Sequence, residues 1–154
     1  MSGRVRLAVA LVLCILGVLC AVRYLYWPAV TRPTTVSAAL AGNLQELQAL
    51  QAKGMGLNYH DPIKFDWTPL IAAVSANNSN IVAYLLTQGV DLEAKDRHGD
   101  TALSLAVTGP DSDLAIVKML VDAGAKTNAE VLTAAALNSQ PQKDQLLKVL
   151  SRAR

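Results

Sequence analysis

Residues 68–89 read TPLIAAVSANNSNIVAYLLTQG, and residues 101–124 follow the same plan as TALSLAVTGPDSDLAIVKMLVDAG. The opening Thr68-Pro69-Leu70 returns as Thr101-Ala102-Leu103, 33 residues further on. Each copy runs into a second apolar stretch that closes on glycine: Ile81, Leu85 and Leu86 before Gly89, then Ile116, Val117 and Leu120 before Gly124. Self-similarity at this period marks stacked helical units, because one unit cannot bury its apolar face alone and a neighbour covers it. Thr68 suits a helix N-cap, and Pro69 suits the first helical position, where its missing N–H would be unpaired in any case. Gly89 suits the left-handed residue that ends a helix. The repeat predicts an all-α solenoid.

Working outward, Val36 to Gly54 keeps a short Ala-rich helix, a Gly42-Asn43 turn and a Leu44, Leu47, Leu50 stripe, without a Thr-Pro-Leu opening. In the third unit Gly109-Pro110-Asp111 lengthens the turn between helices, so the closing glycines stand 35 apart, and Asp113 is placed to cap the helix that follows. Glu130–Asn138 and Lys143–Ser151 read as two closing helices, with Pro141 in the turn between them. Leu146, Leu147 and Leu150 would cover the last apolar face, while Lys143, Lys148 and Arg152 stay in water.

These residues resemble the ankyrin repeat over roughly 36–152, most strongly over 66–128. The resemblance implies about four helix pairs with β-hairpin-like fingers, in units of about 36–65, 66–98 and 99–128 and a C-terminal cap at 129–152. It also implies that the function is to hold another protein, through the finger tips and the concave face lined by the first helices. On that face Ser75, Ala76, Asn77 and Thr108 are the expected lining. The family's common His after Thr-Pro-Leu is Ile71 in one unit and Ser104 in the next, so its Thr–His bond between neighbouring repeats is missing and ordinary stability is expected.

The N-terminal segment has a different character. Leu7 to Val22, LAVALVLCILGVLCAV, is a run of 16 residues without a charge, followed by Tyr24, Leu25, Tyr26 and Trp27. As a helix the run spans about 24 Å, short of the roughly 30 Å hydrocarbon core, and the aromatic turn that favours the headgroup boundary makes up the length. Residues 1–6 read as an n-region, 7–27 as a single transmembrane anchor and 28–35 as a linker stiffened by Pro28 and Pro33. A cleaved signal peptide needs small residues at its exit. Leu19-Cys20-Ala21 and Ala21-Val22-Arg23 lack them, and the leucines before Cys14 and Cys20 disfavour a lipoprotein. The uncleaved anchor fits best. Arg4, Arg6 and the amino terminus, set against Arg23 and Arg32, favour a cytoplasmic N-terminus only slightly. On that orientation the repeats are extracytoplasmic, periplasmic beyond an inner membrane, and the reverse topology is the alternative.

Charge excludes some partners. The whole chain carries 14 Lys and Arg against 12 Asp and Glu, a net +2, but four of the arginines precede Pro33 and every acid follows it. The folded part is therefore acidic overall and lacks the clustered cations that nucleic acid requires. Both cysteines lie in the apolar run, so the folded part holds neither a disulfide nor a thiolate metal site.

One place in the folded part is unusual. Gly54 and Thr68 are separated by two more residues than Gly89 and Thr101, and the longer finger carries Tyr59, His60, Ile63, Phe65 and Trp67, including the only Phe of the chain. Aromatic and branched side chains on a projecting loop bury large area at little rotamer cost, as an interface hot spot needs. Trp67, beside the capping Thr68, equally suits packing on its neighbour. The second finger offers Lys95, Arg97 and His98 to an acidic partner, or stands as a solvated turn. Two histidines without further ligands make a poor metal site, no phosphate-cradling loop is present, and no catalytic set, cofactor or small-molecule substrate is expected. The expected function is a membrane-tethered protein-binding module. An immunity or inhibitor protein for a secreted toxin or enzyme, and a structural subunit of a membrane complex, are the alternatives.

Overall fold

The computed structural model describes residues 33–109, 113–137 and 143–151. The chain divides into two units, Met1–Pro33 and Thr34–Arg154, and apart from Pro33 the described residues belong to the second. The expected anchor at 7–27, Pro110 and Asp111, Asn138, Pro141 and Arg152 lie outside the described residues. Among the described residues, no helix is long and apolar enough to cross a membrane.

Eight helices are described: α1 (Thr35–Leu40), α2 (Leu44–Ala52), α3 (Pro69–Ser75), α4 (Ser79–Thr87), α5 (Ala102–Thr108), α6 (Leu114–Asp122), α7 (Ala129–Leu137) and α8 (Lys143–Ser151). They form four antiparallel pairs. The first helices pack in succession, α1 on α3, α3 on α5 and α5 on α7, while α4 packs on α6 and α6 on α8. No strand is present among the described residues, and the fingers contribute a single antiparallel bridge between Asp61 and Trp67.

The breakpoints follow from capping chemistry. Thr68 accepts from the Ile71 N–H with Pro69 at the start of α3, and Asp113 accepts from the Ala115 N–H to open α6. Gly89 and Gly124 close α4 and α6 with φ of 68° and 96°, the left-handed region that a Cβ disfavours. Thr34 caps the first unit without a Thr-Pro-Leu opening: its hydroxyl accepts from the Ser37 N–H at 3.0 Å, and its own N–H donates to the Ser37 hydroxyl at 2.7 Å. Thr101 and Ser104 repeat this reciprocal box on α5. The family's histidine position is thus filled by serines that close a helix start, and by Ile71, wholly buried, on a helix lying between α1 and α5.

Leu47, Leu70, Ile81, Leu85, Leu103, Ile116, Leu120 and Leu150 have no solvent contact to speak of and form one continuous spine through the pairs. Truncating one of them removes about 2–5 kcal/mol, since a stacked core collapses only partly around a hole. Polar ties between units stand in for the absent Thr–His bond. The Asn78 amide, instead of capping α4, donates to the Ala39 and Leu40 carbonyls at 2.9 and 3.2 Å. It lies so close to the turn after α1 that a Cβ on Gly42, itself at φ 73°, would stand 3.0 Å from its oxygen. The Asp91 N–H donates to Asn58 Oδ1 and the Lys126 N–H to Glu93 Oε1, both at 2.9 Å and both across 33 residues. The Tyr84 hydroxyl meets Gln51 on the second-helix layer.

Candidate partner-binding fingers

Two loops leave the stack between helix pairs, the first joining α2 to α3 and the second joining α4 to α5. Each turns on a buried aspartate. In the first, the Asp61 N–H donates to the Trp67 carbonyl at 2.9 Å, and the Asp61 carbonyl accepts from the N–H groups of Lys64 and Asp66. Its carboxylate accepts from the Ile63 N–H at 3.0 Å and from the Thr34 hydroxyl at 3.3 Å, and the residue is only 4% exposed. In the second, the Asp96 N–H donates to the Asp100 carbonyl at 2.9 Å, and its carboxylate accepts from the N–H groups of His98 and Asp100. A carboxylate that collects backbone N–H groups makes a rigid turn, because those donors have no other partner once the loop closes.

The two additional residues of the first finger therefore lie in its tip, between Asp61 and Trp67. They change the backbone there. Gly99 takes the left-handed position of the second finger with φ of 86°, whereas the first finger places Phe65 and Asp66 in that region, at φ of 52° and 62°. The left-handed conformation costs an L-residue about 1–2 kcal/mol, less for Asp than for a bulky ring. Such strain persists only where surrounding contacts over-determine it.

The strained turn sets the display of side chains. Ile63 is 66% exposed, Phe65 53% and Tyr59 40%, so three large apolar side chains face solvent within seven residues. Trp67 is half-buried and packs on the core. Its ring lies 6.1 Å from that of Phe65, and the His98 ring of the second finger lies 6.0 Å from Phe65. The Arg97 N–H donates to the Phe65 carbonyl and Arg97 Nη2 to the Pro62 carbonyl, each at 2.9 Å. His60 Nδ1 donates to the Asp66 carbonyl at 3.0 Å and stands 3.5 Å from its carboxylate, in an exposed pair of small energetic weight.

The structure thus brings Phe65, Trp67, Arg97 and His98 together, holds His60 on Asp66, and leaves Tyr59 and Ile63 facing outward. Arg97 has an intramolecular use that its residue type did not announce. The residues not singled out in the sequence are Asp61, Asp96 and Pro62; an Asp a few positions before each capping Thr is the signal that could have found the two hubs. At the C-terminal ends of the first helices and the turn after α3, Ser75, Asn77 and Thr108 are exposed and Ala76 is half-buried. Among the described residues no group of three or more His, Cys, Asp or Glu is arranged to hold a metal ion. An open groove of about 450 Å³ runs along α7, lined by Ala129, Thr133, Ala134 and Leu137.

A solenoid of helix pairs with projecting fingers is an interaction scaffold, and residues 36–131 match the family of ankyrin repeats in three copies. The chain belongs to the ankyrin-repeat family. It is 33% identical over 93 residues to the ankyrin repeat and SAM domain-containing protein 6 of Rattus norvegicus, a match covering 60% of this chain and 10% of that protein. It is 36% identical over 81 residues to the ankyrin repeat and SOCS box protein 6 of Mus musculus, covering 52% and 19%. The match therefore spans between a tenth and a fifth of these curated relatives. Among solved structures it is similar to a chain in the complex of the Bdellovibrio bacteriovorus predatory endopeptidase Bd0816 with immunity protein Bd3460. That likeness has a TM-score of 0.64 and 28% identity, and covers 79% of this chain and 63% of that one. Ankyrin repeats are generally non-enzymatic interaction modules, and the comparisons indicate no catalytic family.

Proposed function

We propose that this chain is a membrane-tethered ankyrin module that holds a protein partner through its first finger, with the concave face of α1, α3 and α5 as supporting surface. The observation that carries the reading is the concentration of Tyr59, Ile63 and Phe65 in solvent on a turn that the fold keeps in a strained backbone. Anchors of this kind supply most of the binding energy of an interface, and a rigid display lowers the ordering cost of using them. The apolar run at 7–22 and the aromatic turn after it support a tether, and the flanking arginines support an extracytoplasmic, periplasmic location for the repeats.

A photo-crosslinking residue placed at Ile63 and, separately, at the exposed Lys118 on α6 tests the finger in native membranes. A discrete adduct from position 63 and none from 118 is the expected result. Adducts of the same mass from both positions, or none from 63, would remove the reading. A phosphatase fused after Arg154 tests the orientation, with activity expected and cytoplasmic fluorescence of the matching reporter as the contrary result.

The alternative with a specific observation behind it is an immunity or inhibitor role, since one solved relative of this fold comes from a complex of an endopeptidase with an immunity protein. On this reading the finger covers the working surface of one tightly bound enzyme. Stoichiometric addition of the chain should then abolish that enzyme's activity, and an Ile63→Ala, Phe65→Ala variant should restore it.

A further inference from the structure

We infer that the second finger holds the first in its displayed shape and that Arg97 is the positioning residue of that clamp, not a partner contact; the inference rests on the reading of the first finger as the binding element. Arg97 takes the Phe65 carbonyl with its backbone N–H and the Pro62 carbonyl with Nη2, each at 2.9 Å. Those two carbonyls bracket Ile63 and Lys64, so one residue of the next repeat fixes both ends of the exposed tip. The finger's internal bonds use the Asp61, Lys64 and Trp67 carbonyls and leave the bracketing carbonyls of Pro62 and Phe65 to the neighbour. The clamp has something to resist, because Phe65 and Asp66 are both left-handed without being glycine. The His98 ring backs Phe65 as well, at 6.0 Å.

The clamp runs in one direction along the stack. Arg97 follows the hub Asp96 as Pro62 follows the hub Asp61. Proline has no N–H to send to a preceding finger. The second finger therefore sends this bond to the finger before it, whereas the first, with Pro62 at the matching position, has no N–H there to send one further. The first finger's anchors are ordered before any partner arrives, which is how pre-organisation raises affinity without a new contact.

Amide hydrogen exchange on the full-length chain, alone, tests this in the variants Arg97→Ala and Arg97→Lys. Both keep the backbone bond to Phe65, so the comparison isolates the side-chain bond to Pro62. In R97A the amides of Ile63, Lys64, Asp66 and Trp67 should exchange about tenfold faster, as expected for loss of a hydrogen bond that gates local opening. Those of Ala72 and Ala76 on and after α3 should keep their rates. R97K, which retains a donor for the Pro62 carbonyl, should return the finger to within about threefold of the parent. Unchanged finger rates in R97A, or equal acceleration in the finger and in α3, would overturn the clamp. No partner enters the measurement, so a silent crosslinker at Ile63 would remove the binding reading and leave this one standing.

Discussion

The two fingers are built on one frame and differ in what they do with it. Both turn on a buried aspartate whose carboxylate accepts from the backbone of its own loop, one N–H at Asp61, which also takes the Thr34 hydroxyl, and two at Asp96. Both end at a residue that precedes a capping threonine. The second closes across Asp96 and Asp100 with Gly99 in the left-handed corner, and its tip is short and polar. The first closes across Asp61 and Trp67, and two more residues convert the corner into a knob that carries Ile63 and Phe65 into water. A turn made only to connect helices would keep glycine in the corner and polar residues at the tip. On the proposed reading, strain and exposed apolar surface together make the first finger the one shaped for another molecule, and the second its support.

The sharpest way to break the comparison is to remove the hubs. Asp61→Ala leaves the Ile63 N–H and the Thr34 hydroxyl without their acceptor at a partly buried turn, and Asp96→Ala does the same to the N–H groups of His98 and Asp100. Bonds to a charged acceptor contribute about 1.5–3 kcal/mol, so each variant should lose roughly 3 kcal/mol in urea unfolding. If the fingers share a frame the two losses should agree within about 1 kcal/mol, and a near-zero value for either would show that its hub is decorative. Function should separate what stability does not. With the crosslinked partner purified, Ile63→Ala with Phe65→Ala should weaken binding by about 2 kcal/mol or more. The matched change on the second finger, Lys95→Ala, should move affinity by less than about 0.5 kcal/mol. Equal losses would spread the interface over both fingers.

How much of this was legible follows from the range of each interaction. Thr68, Pro69, Gly89 and Asp113 act within a turn of their own helix, so residue type and spacing predict their roles, and the structure has them in place. The different finger lengths are a matter of counting from Gly54 and Gly89. Thr34 opens no Thr-Pro-Leu motif, although a Thr three residues before Ser37 carries the same capping geometry. The Asn78 amide serves the end of α1 from 39 residues away, a contact that no local pattern around Asn78 encodes. The Arg97 clamp spans 35 residues and exists only once neighbouring units are in register. Phe65 and Asp66 gave no hint of a left-handed turn because the usual marker, glycine, is absent from both positions. Local chemistry was readable, and contacts between repeats were not.

The corner residues offer the smallest and most selective test. Gly99→Ala introduces a Cβ at φ 86° where no atom lies within 4 Å, so the change measures backbone preference alone. It should destabilise by about 1 kcal/mol. Asp66→Gly should act in the opposite sense, relieving part of the first finger's strain by up to about 1 kcal/mol, partly offset by the greater freedom that glycine gives the unfolded chain. That variant also removes the carboxylate facing His60, a pair whose side chains are 41% and 48% exposed and which contributes well under 1 kcal/mol. His60→Ala removes that pair together with the bond to the Asp66 carbonyl, and because both are exposed its shift in urea midpoint should be small. A stabilised Asp66→Gly chain that also binds its partner less tightly would show that the left-handed corner is held for display at the expense of the fold. A variant that gains stability and keeps full affinity would make the second finger's glycine turn the better design for both, and would remove strain from the account of why the first finger differs.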